Sequence, residues 1–117
     1  MTPTSPASVP EVDVDEAQQR TASGAFLLDV RTPDEWSAGH APDAAWIPMT
    51  EIEARQGEVP QDRAVVVICR TGARSARVTA ALMAAGHDAS NVVGGLQAWA
   101  AAGHPVVTDA GTPGEVA

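Results

Sequence analysis

Cys69 is the only cysteine of the chain and lies in the stretch VVVICRTGARS, residues 65–75. A run of β-branched residues leads into it, and Arg70, Thr71, Gly72, Ala73, Arg74 and Ser75 follow. Three of the seven positively charged residues, Arg70, Arg74 and Arg77, fall within nine residues starting at Cys69. These residue types suit attack by a thiolate. A helix N-terminus and nearby arginine lower a thiol's pKa. The N–H groups of a loop between a strand and a helix lack partners and can converge on an anion. Gly72 permits the positive φ that such a cradle needs. A thiolate, persulfide, sulfate-like or phosphate-like group would fit it electrostatically. The competing reading is a small buried hydrophobe at the end of an apolar strand. Two arginines and a glycine directly after the cysteine argue against it, because core filling requires none of them.

Other chemistries fail on spacing. His40, His87 and His104 are far apart, and no Cys-x-x-Cys or His-Glu-x-x-His motif is present, so a metal site is not expected. No glycine-rich nucleotide motif occurs, and Gly94-Gly95 reads as a strand-to-helix turn.

The elements that must position Cys69 alternate between strand and helix patterns. Asp13 or Asp15 caps a first helix reaching about Ala22, with Gly24 as its stop. Ala25 to Val30 reads as a buried strand. Thr32-Pro33 opens a short helix with Gly39 at its end. Ala44 to Ile47 is a short extended piece, and Thr50 to Gly57 reads as another helix. Ala64 to Ile68 suits a central strand buried on both faces. The best helix starts at Arg74 or Ser75 and ends at Ala85, with Val78, Ala81, Leu82 and Ala85 as its buried stripe. A strand over Asn91 to Val93 and a helix over Gly95 to Ala102 follow. This alternation implies an α/β domain with a mostly parallel sheet. Met1 to Val9 and Thr108 to Ala117 lack apolar periodicity and are expected as a disordered N-terminal tail and a flexible C-terminal tail.

The totals agree with one soluble domain of 117 residues. A lone cysteine excludes an internal disulfide. No apolar run spans a bilayer and no secretory signal opens the chain, so a cytoplasmic location is expected. The net charge of −8, with arginine as the only cation, argues against nucleic-acid or membrane-surface binding. A local basic spot can still draw in a small anion.

Four blocks in order resemble the rhodanese family of sulfurtransferases: LLDVR with Glu35-Trp36, Gly39-His40 with Ile47-Pro48, CRTGARS, and GGLQAW followed by GHPV. The resemblance runs from about Pro10 to Val107. It implies a rhodanese-like domain over residues 10–107, with an open five-stranded sheet and helices on both faces. It further implies that Cys69 takes a sulfane sulfur from thiosulfate or a persulfide and passes it to cyanide, a thiol or a sulfur-accepting protein. No cofactor is implied beyond the cysteine persulfide itself. Arg70 and Arg74 would bind the anionic donor, helped by the backbone of Thr71, Gly72 and Ala73. Ser75 reads first as a helix cap and second as a donor to sulfur.

Phosphatases related to this family space cysteine and arginine one residue further apart, so four residues between Cys69 and Arg74 favour sulfur over phosphate. A small cysteine phosphatase or arsenate-reductase-like enzyme is the alternative, and a non-catalytic rhodanese-like regulatory module is another. Asp29 and Arg31 read as a supporting ion pair, Glu35 as a solvated helix-start acid, His40 as a turn residue, and Trp36 and Trp99 as core. The family's usual His-Ile-Pro-Gly-Ala is here His40-Ala41-Pro42-Asp43-Ala44, with Asp43 expected to tolerate a left-handed turn. Trp46 is expected to pack, or else to line the pocket mouth.

Overall fold

The VVVI run, Val65–Ile68, is buried at every position, with no residue above 1 % exposure. Side chains of a strand alternate between faces, so this run needs an apolar layer on each side. A computed structural model, describing residues 9–117, supplies both. Five strands form one sheet: β1 (Glu11–Val12), β2 (Phe26–Asp29), β3 (Ala45–Trp46), β4 (Val65–Ile68) and β5 (Ala89–Val92). Their order is β1-β5-β4-β2-β3, and every pairing is parallel. Four α-helices join them: α1 (Val14–Ala22), α2 (Pro33–Ala38), α3 (Ala73–Ala84) and α4 (Gly95–Ala101).

On one face Leu28, Val65, Val67 and Ala89 pack against Val78 and Leu82 of α3, with Ile52 and Val59 from the connection before β4. On the other, Leu27, Val66, Ile68 and Val92 meet Val14 and Ala17 of α1 and Leu96 and Trp99 of α4. The expected α/β architecture, with helices on both faces, is therefore present. Cys69 continues the alternation of Val65 and Val67 and belongs to the α3 layer. Among the described residues no helix is long and apolar enough to cross a membrane.

Several elements differ from expectation. The segment 50–57 forms no α-helix. It contributes to two 3-10 turns, Met49–Glu51 and Gln56–Glu58. Isolated helices this short are marginal, and Arg55 instead closes the turns by pairing with Glu51 and Glu58. The buried stripe of α3 is Ser75, Val78, Thr79 and Leu82, while Ala81 is exposed. Of its two polar residues, Ser75 meets Cys69 and Asn91 on the inner face, whereas the Thr79 hydroxyl donates back to Ser75 O within the helix. β1 was not foreseen, since two residues carry no readable period. No described non-glycine residue has positive φ, so Asp43 turns without a left-handed backbone.

Residues 108–117 depart most from the expected flexible tail. They turn back along α2: Gly114 N–H donates to Val106 O and Glu115 N–H to Ala38 O, both at 2.9 Å. Val116 packs on the α1–α4 core layer. The contact depends on two glycines meeting backbone to backbone, for a Cβ on Gly114 would lie 2.8 Å from Gly39 Cα. The tail expected over Met1 to Val9 lies outside the described residues except for Val9, which is buried. Gly114→Ala is expected to lift 108–117 from α2 at a cost of about 1–2 kcal/mol. Loss of amide-exchange protection at Glu115, with the sheet amides unchanged, is the measurement that checks it.

Candidate active site

Cys69 sits at the carboxyl end of β4, where ligands bind in open parallel sheets. Gly72, left-handed at φ 108°, caps α3 and lets the chain turn from strand to helix across residues 69–72. The turn points Gly72 N–H at Cys69 Sγ, 3.1 Å away. The carbonyls of the same loop are held outward by α4. Leu96 N–H donates to Cys69 O at 2.8 Å and Gln97 N–H to Arg70 O at 3.0 Å. This approach is possible only because residue 95 is glycine: a Cβ there would lie 2.5 Å from Cys69 O. The Gly94-Gly95 pair is thus the strand-to-helix turn expected, and it also packs against the cysteine loop.

The Ser75 hydroxyl lies 3.2 Å from Cys69 Sγ and 2.6 Å from Asn91 Oδ1. Ser75 lies within the first turn and Gly72 takes the cap position, so the expected capping role gives way to the second reading, a donor to sulfur. Burial pushes the Cys69 thiol up, but the Ser75 hydroxyl and the N–H groups of Ser75, Gly72 and Thr71 outweigh it. The net pKa lies below the usual thiol range. The sulfur is thereby biased toward a nucleophilic anion, although Cys69 is only 1 % exposed.

Both arginines of the loop have protein partners in the structure. Arg74 donates to both carboxylate oxygens of Glu35, at 2.6 and 2.8 Å. Arg70 is exposed and its Nε donates to Ala117 O at 2.8 Å. Neither is a free clamp over the sulfur, and Arg77 lies on another side of α3, beside Met49 and Ile52. Thr71 and Ala73 are exposed, and of the two the Thr71 N–H contributes to the sulfur's environment. Glu35 is therefore no solvated acid. The Arg74 guanidinium, with help from Thr32, lowers its carboxyl to about 2.

Asp29 and Arg31 form the ion pair that the sequence suggested, fully buried, with Arg31 Nη2 2.8 Å from Asp29 Oδ2. Arg31 also donates to Glu35 O at 3.2 Å and Gly39 O at 2.8 Å, binding the middle and the C-cap of α2 to the end of β2. The pair supports the site indirectly, by fixing the helix that carries Glu35. Trp46 packs: it stacks on Trp36 at 5.5 Å and donates to Arg31 O. His40 is a buried turn residue, stacked on the half-exposed Trp36 and bonded to Trp36 O. Trp99 is core as expected, 3 % exposed. A small cavity beside the loop, about 110 Å³, is lined by Thr32, Pro48, Met49 and Arg74 among others. Asn91 escaped sequence reasoning. Its only signal was an amide inside a strand that must be buried on both faces.

Two outcomes follow from this geometry. Ser75→Ala should raise the pH midpoint of Cys69 alkylation by roughly one unit, and Arg74→Ala should raise it less. Stopped-flow alkylation across pH measures both. Glu35 has a folded pKa of about 2 against an ordinary 4.5. The stability from its pairing is therefore complete above about 4.5 and lost as pH falls toward 2. Glu35→Gln should lower stability at neutral pH and flatten this part of the acid-unfolding curve, as denaturant melts at stepped pH will record.

Comparison with known proteins matches the rhodanese-like domain family over residues 13–102. A sulfurtransferase of Allochromatium vinosum is 43 % identical over 106 residues, covering 88 % of this chain and 99 % of that protein. A putative sulfur carrier protein of Bacillus subtilis is 31 % identical, covering 80 % of this chain; the alignment spans only 52 % of that protein. The crystal structure of a rhodanese-related protein from Thermoplasma volcanium superposes with a TM-score of 0.80 at 29 % identity, covering 86 % of this chain and 99 % of that one. The chain belongs to the rhodanese-like family of sulfurtransferases.

Proposed function

We propose that the protein carries a sulfane sulfur through a persulfide on Cys69, from a small anionic donor such as thiosulfate or a persulfide to a thiol or cyanide. The observation that carries this reading is the buried sulfur facing N–H and O–H donors, with its pKa lowered. In the first step the Cys69 thiolate attacks the outer sulfur of thiosulfate. The S–S bond of the donor breaks, sulfite leaves with the bonding pair, and Cys69 becomes an anionic persulfide. In the second step the acceptor attacks the outer sulfur. Cyanide leaves as thiocyanate and the thiolate is restored. Two displacements through a covalent intermediate replace one difficult transfer. The sulfur itself is the only group carried, and no further cofactor takes part in this scheme.

Arg70 would contribute as an exposed charge at the loop mouth, drawing an anion toward an otherwise acidic body. The likeness to a sulfur carrier protein supports a protein thiol as acceptor. A free thiol at the site suits the reducing cytoplasm. The phosphatase alternative gains no support from the geometry. Ser75 occupies the position where the longer loop would place its arginine, and Arg74 is paired with Glu35.

Incubation with thiosulfate should add one sulfur to the intact mass, and cyanide should then release thiocyanate. Cys69→Ser should do neither. A wild-type protein that gains no sulfur and turns over no faster than the variant would falsify the reading, and aryl-phosphate hydrolysis through Cys69 would replace it.

A further inference from the structure

Asn91 lies within β5, 3 % exposed, in the sheet beside β4. A buried amide in such a strand is costly unless its hydrogen bonds are made. Asn91 Nδ2 donates to Gly72 O at 3.1 Å. A carbonyl only accepts, so the amide nitrogen must face Gly72 and Oδ1 must face Ser75. Asn91 therefore grips the cysteine loop at two points, both adjoining donors to the sulfur.

Ser75 has one hydroxyl proton and two acceptors in reach, Asn91 Oδ1 at 2.6 Å and Cys69 Sγ at 3.2 Å. It cannot serve both at once. With a neutral thiol, S–H donates to Ser75 Oγ and the hydroxyl proton stays on Asn91. With an anionic sulfur, which only accepts, the hydroxyl must turn to sulfur and Asn91 Oδ1 loses its partner. We infer that Asn91 is a positioning residue for Cys69: it holds the Ser75 proton away from the neutral thiol and yields it when the sulfur carries charge. This rests on Cys69 being the nucleophile. No bond to hydrogen is broken at Ser75; only the hydroxyl rotates.

The charges around the loop are Arg74 with Glu35 from α2, the buried Asp29–Arg31 pair from the end of β2, and the exposed Arg70. Asn91 and Ser75 are neutral, so replacing them adds no charge to that field. Asn91 thus restrains ionisation, because a thiolate forms only as its 2.6 Å hydrogen bond is given up.

The test is a double-variant cycle read as the pH midpoint of Cys69 alkylation, in wild type, Asn91→Ala, Ser75→Ala and both together. Asn91→Ala should lower the midpoint by roughly half a pH unit, about threefold more thiolate below both midpoints. In the Ser75→Ala background the same substitution should change nothing. Equal shifts in both backgrounds overturn the inference, since Asn91 would then act through Gly72 or the fold. No shift, or a rise, also overturns it. Alkylation needs no sulfur donor, so this result stands apart from success or failure of the turnover assay. Should Asn91→Ala fail to fold, the unsubstituted residue can be read directly. The Asn91 side-chain carbonyl carbon shift should titrate with Cys69 and stop doing so in Ser75→Ala. A flat profile across the Cys69 midpoint, or one unaltered in Ser75→Ala, overturns the inference.

Discussion

A sulfur with a lowered pKa at a position 1 % exposed to solvent is the constraint on which this structure turns. Burying a charge is prohibitive unless donors replace its water. Here the donors are mostly main-chain N–H groups, and these can face inward only if the carbonyls of the same loop are satisfied elsewhere. α4 satisfies them, with Leu96 and Gln97 holding the carbonyls of Cys69 and Arg70. That in turn demands glycine at 95, where a side chain would meet the loop's own backbone. The left-handed Gly72 completes the turn. A helix on the far side of the sheet, two glycines and the cysteine loop are thus one device.

A second chain of contacts runs from the buried Asp29–Arg31 pair through α2 to Glu35 and Arg74. The buried pair is not in itself good evidence of stability. Its value here is positional, because Arg31 bonds the carbonyls of Glu35 and Gly39, in the middle and at the C-cap of a six-residue helix that has no buried residue of its own. A helix that short has little to hold it by packing. The guanidinium does what an apolar face does elsewhere, and α3 is then tied to α2 by Arg74.

The sequence made the sheet, the central strand, the cysteine and its loop legible, because each leaves a local signature: the VVVI run, the lone thiol, the glycine before a helix. What stayed hidden depends on partners distant in sequence. Glu35 looks like any acid in a first helical turn until Arg74 is seen opposite it. Ser75 looks like a cap until Gly72 takes that place. Asn91 looks like a weak strand residue until Ser75 and Gly72 are found on either side of its amide. The fold-back of 108–117 rests on two glycines, and glycine contacts leave no hydrophobic pattern. The missing helix over 50–57 shows the converse: a local helical signal lost because nothing packed a full turn in place.

Neutral donors, rather than a bare arginine, also suit the proposed chemistry. A sulfur relay must form its persulfide readily and surrender it as readily, so the resting thiolate and the loaded persulfide should differ little in energy. Interactions felt equally by both leave that balance unchanged. An arginine in direct contact would hold each anion more strongly and would weigh most on whichever presents the more exposed charge. N–H dipoles and a shared hydroxyl proton can follow the charge over a short distance without trapping it. In that proposed chemistry, engaging Arg74 with Glu35 and leaving Arg70 exposed would separate attraction of an anion from stabilisation of the reacting sulfur. On that reading a cluster of arginines beside a thiol need not be what activates it.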